Sequence, residues 1–70
     1  MSRWPSTQAS RVLSGLLRIG WQIKRTTGSL IILHRTGWPD VVFAFLDRDE
    51  IGPRILTRLS KVTVLTPEDL

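Results

Sequence analysis

Residues 20–33 read Gly-Trp-Gln-Ile-Lys-Arg-Thr-Thr-Gly-Ser-Leu-Ile-Ile-Leu, and this stretch decides the fold. From Trp21 to Thr26 apolar and polar side chains alternate, which predicts a half-buried strand. Thr27-Gly28 supplies a turn. Ser29–Arg35 predicts a second strand, in which the alternation is lost because residues 30–33 are all apolar. The stretch therefore predicts a β-hairpin.

The segment before the hairpin predicts a helix over residues 10–19. Ser10 is a favourable N-cap, and Gly20 tolerates the left-handed conformation that commonly ends a helix. Gly15 costs about 1 kcal/mol relative to alanine inside a helix, so we expect it to mark close packing against the sheet. The apolar residues at helical spacing are Val12, Leu13, Leu16 and Leu17.

The segment after the hairpin predicts a third strand and a second helix. Val41–Leu46 is apolar on both faces and follows a loop, residues 36–40, that contains glycine and proline. Pro53 suits the first turn of a helix. Thr66-Pro67-Glu68 predicts one last short turn. The acidic residues expected to complement the dipole of the second helix are Asp47, Asp49 and Glu50. The residues expected to form its buried stripe are Ile51, Ile55, Leu56 and Leu59.

This order predicts an α+β domain of the double-stranded-RNA-binding-like class, α-β-β-β-α. Three strands with short loops give an antiparallel sheet, and two amphipathic helices cover one of its faces. We expect residues 1–9 to form a flexible N-terminal arm and residues 10–70 to form the domain. Trp4 in the arm is either exposed to solvent or packed against the core, and the sequence does not decide between the two.

Charge is distributed unevenly along the chain. Residues 1–39 carry six basic and no acidic side chains, whereas residues 40–70 carry four basic and six acidic ones, for a net charge of +4. A basic half in a domain this small favours a polyanionic partner, and nucleic acid is the natural one. The alternative is a solvated surface with no nucleic-acid partner.

Other classes of function are disfavoured by composition. The 70 residues contain no cysteine and one histidine, which argues against disulfides and against a zinc site. No apolar run approaches the roughly 20 residues of a membrane span. The sequence contains no glycine-rich phosphate loop. We therefore expect a cytoplasmic protein without a cofactor or a metal.

Several blocks of the sequence, spread over residues 10–70, resemble the HicA toxin family. They are Leu16–Trp21, Arg25–Ser29, Gly37–Asp40, Val42–Phe45, Glu50–Pro53 and Leu65–Leu70. The resemblance implies the fold predicted above. It also implies a small metal-independent endoribonuclease, an mRNA interferase of a type II toxin–antitoxin system, that is held inactive by a HicB-type antitoxin.

The chain departs from the family pattern at three positions. The family motif Gly-Ser-His carries the catalytic histidine, and here Gly28-Ser29 is followed by Leu30. Leu46 stands where relatives tend to place another histidine, and Val64 stands where a glycine usually ends the second helix. A leucine cannot transfer protons, so catalysis is expected to be impaired. The alternatives left open are a weak or rearranged ribonuclease, a non-cleaving RNA-binding module and an antitoxin-binding decoy.

The candidate site residues fall into three groups. His34 is a weak catalytic candidate, because it lies about 13 Å along the strand from Leu30, too far to act on the same phosphate. The partner-binding candidates, which strand parity puts on the open sheet face, are Leu30, Ile32, Val42 and Leu46. The RNA-binding candidates are Lys24, Arg25, Ser29, Arg35, Arg54, Arg58 and Lys61. The last three line one helix face, which is equally consistent with a solvated surface. Trp38 is expected to cap the core rather than to stack on a base.

Overall fold

A computed structural model describes residues 4–70 of the chain. Its elements are β1 (Thr7–Gln8), α1 (Ala9–Arg18), β2 (Gln22–Thr27), β3 (Leu30–His34), β4 (Val41–Phe43), β5 (Glu50–Ile51), α2 (Pro53–Thr63) and a 3₁₀ turn (Pro67–Asp69). Strands β2, β3 and β4 form an antiparallel sheet in that order, and β1 pairs with β5 in a second, two-stranded antiparallel sheet. The predicted α-β-β-β-α order is confirmed.

The core lies between the two helices and one face of the three-stranded sheet, as predicted. Two residues expected in the helical stripes, Leu17 and Ile55, are exposed instead. No helix within residues 4–70 is long and apolar enough to cross a bilayer. The fully buried residues include Val12, Leu16, Trp21, Leu33, Phe43, Ile51, Leu56 and Leu65.

Strand β2 was predicted to be half-buried, and this prediction was wrong. All six of its residues are exposed, and Ile23 keeps 48% of its surface open. The buried core draws on β3, on β4 and on Trp21, which directly precedes β2, but on no residue of β2 itself. The pairing of β2 with β3 also shifts between Ile23 and Arg25, which makes a bulge at Lys24.

The N-terminal segment contacts the rest of the fold from residue 4 onward. Thr7 and Gln8 pair with Ile51 and Glu50, and Trp4 packs against the core. Residues 1–3 of the predicted arm lie outside the described residues. The small β1–β5 sheet was not predicted, because two-residue strands are too short to show a periodicity.

The start of α1 is capped by backbone and not by Ser10. The N–H groups of Ala9 and Ser10 donate to the carbonyls of Asp49 and Asp47, at 2.8 and 3.2 Å. Residue Gln8 is the N-cap, without a side-chain hydrogen bond. Carbonyls from a distant loop thus satisfy donors that a local side chain was predicted to satisfy.

The predicted third strand ends at Phe43, three residues early. The chain then turns, and Asp49 accepts the Leu46 N–H through its side chain at 2.9 Å while its own N–H donates to the Leu46 carbonyl. Gly52 is the N-cap of α2, and the first turn of α2 has no acidic residue. The acidic residues Asp47, Asp49 and Glu50 thus lie before the N-cap, outside the first turn, and Pro53 begins the helix as predicted.

Gly15 marks a close approach, but to the C-terminus and not to the sheet. A Cβ at this position would lie 2.8 Å from the Asp69 carbonyl oxygen. The Arg18 guanidinium donates to the same carbonyl. The predicted last turn is present, and the Asp69 carboxylate accepts the Thr66 N–H at 2.8 Å. Helix α1 is therefore joined to the last residues of the chain.

Val64 ends α2 in the left-handed conformation, at φ 57°. This region costs an L-residue about 1–2 kcal/mol, and branching at Cβ makes it less favourable still. Its side chain is 48% exposed, so little burial is lost on truncation. We therefore expect Val64→Gly to stabilise the domain by about 1 kcal/mol, which raises Tm by about 4–8 °C in a domain of this size.

Thermal unfolding followed by circular dichroism measures this change. The matched control is Val62→Gly, because Val62 is equally exposed but lies inside the helix. There glycine should destabilise the domain by roughly 0.3–0.5 kcal/mol, because valine itself is already less favourable than alanine in a helix. The same direction of change in both variants would contradict strain at Val64.

Candidate nucleic-acid interface

The open face of the sheet carries an apolar patch that no described segment covers. Leu30 and Val42 are 42% and 57% exposed, and Ile32, which pairs with Val42, is partly buried. Leu46 is also exposed, but it lies beyond β4, so strand parity does not place it on this face. Three of the four predicted partner-binding residues therefore share the face.

Lys24 and His34 converge on one carboxylate, that of Asp40. The Lys24 Nζ lies 2.8 Å from Oδ2 of Asp40, and the His34 Nδ1 lies 3.0 Å from Oδ1. The bulge brings the Lys24 ammonium to the same carboxylate as His34, on the neighbouring strand. The contact of Lys24 with Asp40 is an ion pair, and that of His34 with Asp40 is a hydrogen bond.

This arrangement determines the electrostatics of the cluster. The hydrogen bond from Lys24, and after it that from His34, lowers the pKa of the Asp40 carboxyl below its ordinary value. Asp40 also holds the His34 ring through Nδ1, as a carboxylate orients an acid–base histidine. All three side chains are well exposed, so the site lacks the dry environment that strengthens such groups in an active site.

The predicted phosphate-binding residues of the hairpin are not brought together as one group. Arg25 pairs across the sheet with Ile32 and so lies on the open face, and Ser29 is exposed at the turn. Arg35 lies elsewhere, because its Cζ is 5.5 Å from the centroid of the Trp38 ring and its guanidinium packs beside Gly20. The structure therefore separates Arg35 from Lys24 and Arg25.

Helix α2 presents the basic stripe of Arg54, Arg58 and Lys61. All three are exposed, and none has an acidic partner within the described part of the chain. Together with Pro53 and Thr57 they line a groove along the helix. Lys61 also borders a cavity with Trp38, so the stripe leads to the loop at residues 36–40.

The sequence reasoning missed Asp40 as a site residue. Its partners come from two strands, and a bulge that the sequence does not reveal brings Lys24 within reach of it. The sequence did offer one indication that Asp40 could contact His34. Asp40 is the last residue of a short loop that begins two residues after His34.

Comparison with known proteins finds no relative. No protein-family model, no curated protein and no solved structure matches the chain. The resemblance to HicA toxins therefore stays a prediction.

Asp40→Asn is expected to strengthen binding of polyanions, because it releases Lys24 and His34 from their carboxylate partner. Each added contact to a phosphate of single-stranded RNA should steepen the dependence of log affinity on log salt by about 0.7. The control Asp47→Asn removes the same charge from an exposed residue without an ion pair in the described chain. An equal gain in both variants would mean that only net charge matters.

The same variant should change the acid sensitivity of folding. Because the folded-state pKa of Asp40 is lowered, its interactions stabilise the domain above its ordinary pKa of 3.8 and are lost as pH falls through the lowered value. Urea midpoints of the parent and of Asp40→Asn should therefore differ at pH 6, and the difference should shrink as pH falls below 3.8 and through the lowered pKa of Asp40. A constant difference between the two would contradict this linkage.

Proposed function

We propose that this chain is an RNA-binding domain of HicA-like descent whose ribonuclease centre is disabled at Leu30. The observation that supports it best is the stripe of Arg54, Arg58 and Lys61 on α2. A helix face with three exposed cations, none of them in an ion pair within the described residues, is suited to the phosphate backbone of a nucleic acid. RNA is favoured because the fold class is the double-stranded-RNA-binding-like one.

The hairpin supplies the second part of the proposal. Leu30 begins β3 opposite Thr27 and is exposed on the face that also carries Arg25. A substrate phosphate held near Arg25 would meet a hydrocarbon side chain at residue 30, where a ribonuclease needs an acid–base group. The site therefore favours binding over cleavage.

A second candidate function rests on the apolar patch. Leu30, Ile32 and Val42 form a contiguous surface on the sheet, and contiguous exposed apolar surface commonly marks a protein-binding site. A HicB-type antitoxin is the partner that the family resemblance implies. In this alternative the chain is a decoy that occupies the antitoxin without cutting RNA.

Anisotropy of a fluorescent single-stranded RNA tests the first candidate. Three phosphate contacts give a slope of about −2 in log affinity against log salt, so raising the salt from about 50 to 200 mM should weaken binding roughly 20-fold. Arg58→Gln should lower both the affinity and the slope. Arg11→Gln removes the same charge from α1 and should affect both less.

Two results would count against the proposal. If no binding of RNA is detected even at about 50 mM salt, nucleic acid is excluded as the partner. Equal losses in Arg58→Gln and Arg11→Gln would mean that the chain attracts RNA by net charge alone and has no binding stripe. The decoy alternative would be supported by capture of a HicB-type antitoxin that Val42→Glu abolishes.

A further inference from the structure

A cavity of about 350 Å³ lies between the loop at residues 38–41 and the last turn of α2. Pockets for small organic ligands begin at about this size, with a range of roughly 300–1,000 Å³. Its walls are largely apolar, and two groups of opposite charge stand at its border. The lining residues are Trp38, Pro39, Asp40, Val41, Lys61 and Val62.

The indole of Trp38 is a fixed wall of this cavity. It meets Trp21 edge to face, with ring centroids 6.3 Å apart and an interplanar angle of 63°. The Arg35 guanidinium lies 5.5 Å from its centroid. Two neighbours therefore hold the ring in place, so a ligand that stacks on it would not have to order it first.

The charges around the cavity indicate what kind of ligand fits. Lys61 belongs to the cavity and is also the last cation of the stripe formed with Arg54 and Arg58. A strand whose phosphates follow that stripe would arrive at the cavity mouth. Asp40 offers carboxylate oxygens, which accept more than one hydrogen bond each. An apolar peptide would use the walls but not the row of cations.

We propose that this cavity binds one unstacked nucleobase of a single-stranded RNA whose phosphates lie along the α2 stripe. The proposal rests on the RNA-binding function proposed above and adds to it a site for a base. Aromatic stacking is the usual way in which proteins hold bases of single strands, and it tolerates any base because each has a π-face. The cavity thus contributes affinity that the stripe alone does not.

Two RNA hexamers test this inference: a random-sequence pool and an abasic ribose-phosphate chain of the same length and charge. One stacked base should favour the pool by about 5- to 150-fold in anisotropy titrations. Val62→Glu places a charge in the cavity wall and should abolish the preference. Ile55→Glu adds the same charge on the same helix, at another exposed residue that does not line the cavity, and should keep it.

The outcomes separate the two proposals. If neither hexamer is retained, RNA binding itself fails, and the base site fails with it. If both are retained equally, the chain binds phosphates and only the base site is overturned. If Ile55→Glu abolishes the preference as completely as Val62→Glu does, the cavity is not the base site.

Free nucleosides, which carry no phosphate, provide an independent check of the base site. Titration of the ¹⁵N-labelled chain with each of the four nucleosides should shift the indole N–H signal of Trp38. The Trp21 indole N–H, which donates to the Thr63 carbonyl at 3.1 Å, should stay in place. No shift of the Trp38 signal with any nucleoside would overturn the proposal.

Discussion

Leu30→His is expected to cleave single-stranded RNA about 10²–10⁴ times faster than the parent chain, the usual contribution of a general acid–base group. Imidazole has an unperturbed pKa near 6.5 and so can accept the proton of the 2′-hydroxyl at neutral pH. Position 30 is exposed, and Arg25 lies two residues from its cross-strand partner, Thr27. The substitution therefore adds a base beside a cation without disturbing the core.

Cleavage of an RNA labelled with a fluorophore and a quencher measures the gain. Attack of the 2′-oxygen on phosphorus breaks the bond to the 5′-oxygen, so the products should carry a 2′,3′-cyclic phosphate and a 5′-hydroxyl. Val42→His is the matched control, because it places an imidazole on the same face at another exposed position. Equal rates for the parent and Leu30→His would place the catalytic group elsewhere, with His34 as the remaining candidate.

Trp21→Ala is expected to remove most of the stability of the domain. Trp21 is 1% exposed, and its indole N–H donates to the Thr63 carbonyl at the end of α2. Its own backbone N–H donates to the Leu16 carbonyl and closes the end of α1. Truncation of a buried tryptophan costs about 3–5 kcal/mol. The total free energy of unfolding of a domain of this length is only about 3.5–10 kcal/mol.

Urea unfolding followed by circular dichroism checks this expectation. Trp21→Phe is the comparison variant, because it keeps a buried aromatic ring but removes the donor to the Thr63 carbonyl. Leaving this buried carbonyl without a hydrogen bond costs about 1–3 kcal/mol of stability. The expected order of stability is parent, Trp21→Phe and then Trp21→Ala. A loss below about 1 kcal/mol in Trp21→Ala would mean that this corner of the core repacks freely.

Sequence reasoning placed both helices and the three strands of the sheet in the right order. The helices follow from the spacing of their apolar residues, and the sheet follows from three apolar segments separated by turns, of which Thr27-Gly28 is one. The errors fall where distant segments meet. Carbonyls of Asp47 and Asp49 cap α1 in place of Ser10, and the neighbour of Gly15 is the Asp69 carbonyl and not the sheet. Such contacts depend on tertiary packing, which a local pattern does not encode.

The candidate site was predictable to a similar degree. Strand parity correctly predicted that Leu30 and Val42 are exposed. Helical spacing correctly predicted that one exposed face carries Arg54, Arg58 and Lys61. The convergence of Lys24 and His34 on Asp40 was not foreseen, because it depends on a bulge and a loop. The assignment to RNA and to an antitoxin stays a prediction until the binding experiments are done.

The bulge at Lys24 has a consequence for how copies of this chain meet each other. Strand β2 is an edge strand of the sheet, and the unpaired N–H and C=O groups of an edge strand can pair with a strand of another chain. Here the ladder is interrupted between Ile23 and Arg25, and Lys24 occupies the interruption. An incoming strand would meet an irregular edge at this point, so the bulge makes the edge a poorer template for strand addition than a regular one.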